Sequence, residues 1–149
     1  MSGLRPILLA EDNANDVELT LSALESAHLA NPVVIARDGV EALDYLFHRG
    51  KFAGQTCPLP VVVFLDLTMP RVDGREVLRQ VRAEPALSPV PIVMLTSSRE
   101  EIDLVESYRL RVNAYVVKPV GFDAFVGTVA KLGVFWALLN EPPPPLSPA

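Results

Sequence analysis

The chain reads as an α/β protein: a five-stranded parallel sheet, doubly wound, with helices on both faces. Short apolar runs rich in β-branched residues recur at 7–10, 33–36, 61–65, 91–95 and 114–117. Such runs are what strands buried on both faces look like. Segments with apolar residues at helical spacing separate them, and strand–helix alternation argues for a parallel sheet. Four of the runs also end on a chemically distinctive residue: Glu11-Asp12, Asp66, Thr96 and Lys118. In an open α/β sheet, ligands bind just beyond the carboxyl ends of the strands.

Each element has local support. After the first strand, Asn13 or Asn15 supplies an N-cap for a helix to about His28, with Asp16 and Glu18 in its first turn. Val17, Leu19, Leu21, Leu24 and Ala27 are its apolar residues, and Asn31-Pro32 ends it. Asp38 caps a second helix carrying Val40, Leu43, Tyr45, Leu46 and Phe47. The link from 49 to 60, with Gly50, Gly54, Pro58 and Pro60, is long beside the usual ~2–6 residues. The third strand is the most apolar and is expected at the centre. Asp73-Gly74 reads as a turn and helix start, followed by Val77, Leu78 and Val81 until Pro85. Ser97 or Ser98 caps a fourth helix through Ile102, Leu104, Val105 and Tyr108. Gly39 and Gly121 read as ordinary turn glycines.

The last helix, about 122–140, is apolar on two sides. Phe122, Phe125, Val126, Val129, Leu132 and Trp136 form a stripe suited to the sheet. Gly127, Ala130, Val134 and Leu138 lie away from it, with Phe135 near them. A helix apolar on both sides must be buried on both. This suggests a homodimer in which Val134, Phe135 and Leu138 form the contact. Residues 1–140 are expected to be one domain and 141–149 a Pro-rich tail, with no output domain.

Composition limits the function. With 149 residues, 50% of them hydrophobic and 21% charged, the chain suits one soluble domain with one sizeable core. Thirteen Lys and Arg against eighteen Asp and Glu leave a net charge of −5. No dense basic run accompanies this, so nucleic acid and anionic membrane are not expected partners. A single cysteine, Cys57, excludes an internal disulfide and a cysteine-based zinc site. No signal peptide and no run of ~20 apolar residues is present, so a cytoplasmic location is expected. His28 and His48 are isolated and have no partner arranged for catalysis.

Glu11-Asp12 at the first strand end, Asp66 followed by Leu67-Thr68-Met69-Pro70, Thr96, and Lys118-Pro119 together resemble the receiver domain of two-component response regulators. The resemblance covers roughly residues 5–139 and implies the flavodoxin-like receiver fold. It also implies a phosphorelay protein that accepts a phosphoryl group on Asp66 from a histidine kinase. The residue types suit that chemistry. A carboxylate can form an acyl phosphate once its repulsion from the incoming dianion is neutralised. Magnesium takes oxygen ligands and bridges to phosphate oxygens, so a Mg2+ cofactor is implied. Its ligands would be Asp12, Asp66 and the Thr68 backbone carbonyl, with Glu11 acting through water. Lys118 would meet a second phosphate oxygen, and the Thr96 hydroxyl the third.

The family also implies a switch in which Thr96 moves toward the phosphoryl group and Tyr115 turns inward. Its output surface would span the fourth helix, fifth strand and fifth helix. Glu11-Asp12-Asn13 with Asp16-Val17, the 49–60 link, Asp73-Gly74-Arg75-Glu76-Val77-Leu78 and Phe135-Trp136 resemble more narrowly the stand-alone regulators of bacterial and cyanobacterial phytochrome kinases. A bacteriophytochrome-type kinase is thus the implied partner, and a downstream phosphotransfer or target protein a further one.

Two other readings stand beside this one. An aspartyl-phosphate phosphohydrolase also places an aspartate after a central strand, but needs a second acid two residues later. Here that residue is Thr68, which cannot transfer protons near neutrality, so independent enzymatic turnover is not expected. A phosphate-independent pseudo-receiver scaffold would lack some of the site residues, and all are present.

Overall fold

The computed structural model describes residues 4–55 and 57–132. Its five strands are β1 (Ile7–Ala10), β2 (Val33–Ala36), β3 (Val62–Asp66), β4 (Ile92–Thr96) and β5 (Ala114–Val117). Between and after them lie α1 (Ala14–Ser26), α2 (Gly39–Phe47), α3 (Gly74–Ala83), α4 (Arg99–Glu106) and α5 (Phe122–Leu132). All strand pairs are parallel, in the order β2-β1-β3-β4-β5. The expected fold is the observed one, with the most apolar strand at its centre. Chain order reverses between β1 and β3, and such a reversal opens a crevice at the carboxyl ends of the two strands. Glu11-Asp12 and Asp66 stand on either side of it.

Alternation along the strands divides the core in two. Leu8, Ala10, Val63, Leu65, Ile92 and Met94 pack toward α2, α3 and Val105 of α4. Ile7, Leu9, Val62, Phe64, Val93 and Leu95 pack toward α1 and α5, where the Phe64 and Phe125 rings lie 5.2 Å apart. Each fully buried Val, Leu, Ile, Met or Phe side chain among these contributes roughly 1.5–3 kcal/mol.

Four helices start on a side-chain cap. Asn13, Asp38, Asp73 and Ser98 accept the N–H of Asp16, Glu41, Glu76 and Glu101 at 3.0, 2.8, 2.9 and 3.3 Å. At two of them the glutamate reaches back, Glu41 to the Arg37 N–H and Glu101 to the Ser97 N–H. This reciprocal pairing satisfies two otherwise unpaired donors at once. Caps of this kind contribute about 1 kcal/mol each.

The structure departs from expectation in several places. The long link after α2 begins folded against that helix: Gly50–Phe52 is a 3-10 turn, and Phe52 meets the Tyr45 ring edge-on at 5.2 Å. Tyr45 Oη donates to the Pro58 carbonyl at 2.9 Å, and Cys57 packs against the core. Phe122, expected on the stripe facing the sheet, is 46% exposed, and the apolar helix residues Leu19 and Leu104 are 41% and 51% exposed. In α1 the buried face is Val17, Thr20, Ala23 and Leu24, so Leu19 falls outside it. Tyr108 lies beyond the end of α4, and its ring rests under the Arg75 guanidinium at 4.6 Å.

Gly39 is not an ordinary turn glycine. It is buried at the start of α2, where a Cβ would collide with the Val72 carbonyl oxygen. Arg71, at φ 68°, pairs with Asp38 at 2.8 Å and ties the same two loops together. Of the final helix expected to reach 140, α5 is described to Leu132; Val134, Phe135, Leu138 and the Pro-rich segment lie outside the described residues. Among the described residues, no helix is long and apolar enough to cross a membrane.

Candidate functional site

Strand ends and register bring the expected residues together. Ala10 sits beside Leu65 and Asp66 beside Leu95, so Glu11, Asp12 and Asp66 emerge at one end of neighbouring strands. One oxygen from each of these three carboxylates lies within 4.8 Å of the others. Glu11 is fully buried and Asp66 nearly so, while Asp12 is exposed. Glu11 accepts the Asn13 N–H at 3.1 Å, and the Thr68 N–H lies 3.4 Å from Asp66 Oδ1.

Lys118, directly after β5, reaches back across the site. Its Nζ stands 3.3 Å from Asp66 Oδ1, 3.2 Å from Glu11 Oε1 and 2.9 Å from Asp16 Oδ2. Its backbone N–H donates to the Thr96 carbonyl at 2.7 Å, which extends the β4–β5 pairing by one residue and anchors the lysine. The Lys118–Pro119 peptide bond is cis.

The electrostatics follow from burial and crowding. Burial pushes the Glu11 carboxyl up to about 7, and the hydrogen bond and charge of Asp66 add to this; the Asn13 N–H and Lys118 oppose it. Burial also raises Asp66, against the opposing effects of Glu11, Lys118 and the Thr68 N–H. Burial alone would lower Lys118, yet Asp16, Asp66 and Glu11 outweigh it and hold the ammonium charged. One ammonium thus faces more negative charge than it can neutralise. Clustered hard oxygens of that kind suit a divalent cation such as magnesium.

Thr96 is wholly buried at the end of β4, and its Oγ1 has no hydrogen-bond partner within the protein. A buried hydroxyl without a partner costs roughly 1–3 kcal/mol. Thr96→Val is therefore expected to stabilise the unmodified protein by about 1 kcal/mol, raising Tm by roughly 3 °C. A thermal melt in which the variant melts below the wild type would contradict this account of the hydroxyl. Tyr115 is half-buried on β5, its hydroxyl pushed up by burial and by the Glu106 charge.

Sequence reasoning missed two contributors. Asp16 was visible as a first-turn acid of α1 and as part of the narrower resemblance, but not as a partner of Lys118. Gly74 was visible as a helix start and within the same resemblance, but not as a point of close backbone approach. In the fold it is buried behind the acidic site, where a Cβ would collide with the Asp66 carbonyl oxygen and lie 2.9 Å from Leu67 Cα.

A doubly wound parallel sheet with an acidic trio, a buried threonine and a reaching lysine at its switch point defines a receiver-type signalling protein. The chain belongs to the response regulator receiver domain family, which it matches over residues 7–130. Two solved bacteriophytochrome response regulators share its fold. AtBRR is 60% identical, with a TM-score of 0.86 over 94% of this chain and 100% of its own. RtBRR is 57% identical, with a TM-score of 0.87 over 95% of this chain and 85% of its own. The response regulator Rcp1 of Synechocystis is 35% identical over 87% of either chain. Its Mn2+-bound form has been solved and superimposes with a TM-score of 0.72 over 93% of this chain and 99% of that one. A probable methanogenesis regulatory protein, FilR2 of Methanothrix harundinacea, is 39% identical over 93% of this chain and 88% of its own. Two-component signalling is the role this family defines, and phytochrome-associated regulators are among its near relatives here.

Proposed function

We propose that this protein relays a signal by accepting a phosphoryl group on Asp66 from the phosphohistidine of a sensor kinase. An Asp66 carboxylate oxygen attacks phosphorus, the P–N bond breaks, and its electron pair stays on the departing imidazole. The observation that carries this reading is Lys118 Nζ within 3.3 Å of Asp66, beside three carboxylates close enough to share one cation. Magnesium, held by Asp12, Asp66 and the Thr68 carbonyl with Glu11 through water, would neutralise the dianion's charge as it approaches the carboxylate. The Mn2+-bound form of Rcp1 supports that assignment by likeness.

Lys118 then presents its compact positive charge to a phosphoryl oxygen, and Thr96 offers the hydroxyl that finds no partner within the protein. That new bond favours the phosphorylated arrangement and so shifts a two-state equilibrium, with Tyr115 as the reporting side chain on β5. Turnover of an independent substrate is not part of this reading, because Thr68 stands where a phosphohydrolase needs its second acid. A cytoplasmic phytochrome-type histidine kinase is the proposed donor, on the likeness to the bacteriophytochrome regulators. The output face is proposed to be α4, β5 and α5, where Val117 is exposed, and two copies are proposed to pair there. A strictly monomeric mass by light scattering, with and without a phosphoryl mimic, would remove the pairing.

Intact mass after incubation with a small-molecule phosphodonor tests the central step. The wild type is expected to gain one phosphoryl adduct that requires magnesium, and Asp66→Asn none. A folded wild type that gains no adduct and takes up no beryllofluoride would replace this reading with a phosphate-independent scaffold.

A further inference from the structure

Asp16 sits in the first turn of α1, four residues after Asp12. Of the three carboxylates around Lys118 Nζ it makes the shortest contact, at 2.9 Å, and it stands outside the trio that could share a cation. A carboxylate at a helix start needs no lysine, because free N–H groups and the helix dipole already favour it there. Yet the Asp16 side chain is only 23% exposed and is turned onto the ammonium. An ammonium has three donors, and three carboxylates face this one. A phosphoryl group on Asp66 would bring further anionic oxygens to the same nitrogen, and Asp16 would compete with them for it.

We propose that Asp16 is a positioning residue of the phosphoryl site, holding the Lys118 ammonium on the α1 side and opposing the arriving dianion with its own charge. In this way it limits how far the Asp66 equilibrium lies toward the phosphorylated state. The proposal rests on the reading of Asp66 as the phosphoryl acceptor. Two anions bonded to one nitrogen lie roughly 5 Å apart. Repulsion at that separation in a partly buried site changes an equilibrium by about tenfold.

Asp16→Asn removes the charge while keeping an acceptor oxygen for Lys118. Calorimetric titration with beryllofluoride in the presence of magnesium is expected to show about tenfold tighter binding than the wild type. That advantage is expected to shrink as ionic strength rises. A merely structural bond between Asp16 and Lys118 predicts the opposite, because its loss would loosen the lysine and weaken binding. Equal or weaker binding by the variant, beside a wild type that binds, overturns the role of Asp16 and leaves Asp66 as the acceptor. A wild type that binds no beryllofluoride overturns both. Asp16→Ser, whose hydroxyl also suits a first helical turn, provides the same comparison if the asparagine variant fails to fold.

Discussion

Lys118→Met is expected to destabilise the metal-free protein by about 3 kcal/mol at pH 8, because removing one partner of a buried ion pair leaves the other uncompensated. The lysine side chain is 17% exposed and faces a fully buried Glu11 and a nearly buried Asp66, so water cannot take over its role. The sign of the pH dependence follows from Glu11, whose pKa rises from the ordinary 4.5 to about 7 on folding. A carboxyl raised in this way favours folding below pH 4.5, where both states hold the proton. That contribution is lost as pH climbs from about 4.5 to 7, so the metal-free wild type weakens over this interval. Without Lys118 the carboxyls lose an opposing charge and hold their protons to still higher pH. The deficit of Lys118→Met should therefore be largest at pH 8 and smallest near pH 5. Urea unfolding at the two pH values measures it, and an equal deficit at both would show that the lysine acts through packing rather than charge.

Gly74→Ala should be nearly as damaging, for a reason that involves no charge. The added methyl would meet the backbone of Asp66 and Leu67, and no rotamer can move it aside. Overpacking of this kind costs about 1–3 kcal/mol, and contact with backbone on a buried face places Gly74 at the upper end. Tm is expected to fall by roughly 6–10 °C for a domain of this size. Relief requires α3 to retreat or the end of β3 to shift, so Asp66 moves with either. Beryllofluoride affinity should fall together with Tm. A variant that melts lower but binds beryllofluoride as the wild type does would separate the glycine from the site.

Much of this was legible beforehand because the information is local. Asp38, Asp73 and Ser98 announce their helices through oxygens that meet an N–H three residues on. The strands announce themselves because parallel strands are covered on both faces and must be apolar along their length. Glu11, Asp12, Asp66, Thr96 and Lys118 could be grouped because each stands at the end of such a run, and a parallel sheet collects those ends on one edge. Leu19, Leu104 and Phe122 misled because helical spacing identifies an apolar side chain but not which direction the neighbouring elements approach from. Only packing against the sheet separates buried Thr20 from exposed Leu19.

By itself, then, the order of apolar runs and end residues determined the architecture, the central strand and the grouping of Glu11, Asp12 and Asp66 at one sheet edge. The tertiary structure alone decided what depends on distance between segments far apart in the chain. Asp16 and Lys118 are 102 positions apart and in contact. Gly39 against Val72, and Gly74 against the end of β3, are demands of close backbone approach that no local pattern records. The physical reason is common to all three. Helix-capping hydrogen bonds and hydrophobic periodicity act over a few residues and leave a trace there, whereas excluded volume and contacts between distant segments arise only after the chain has folded.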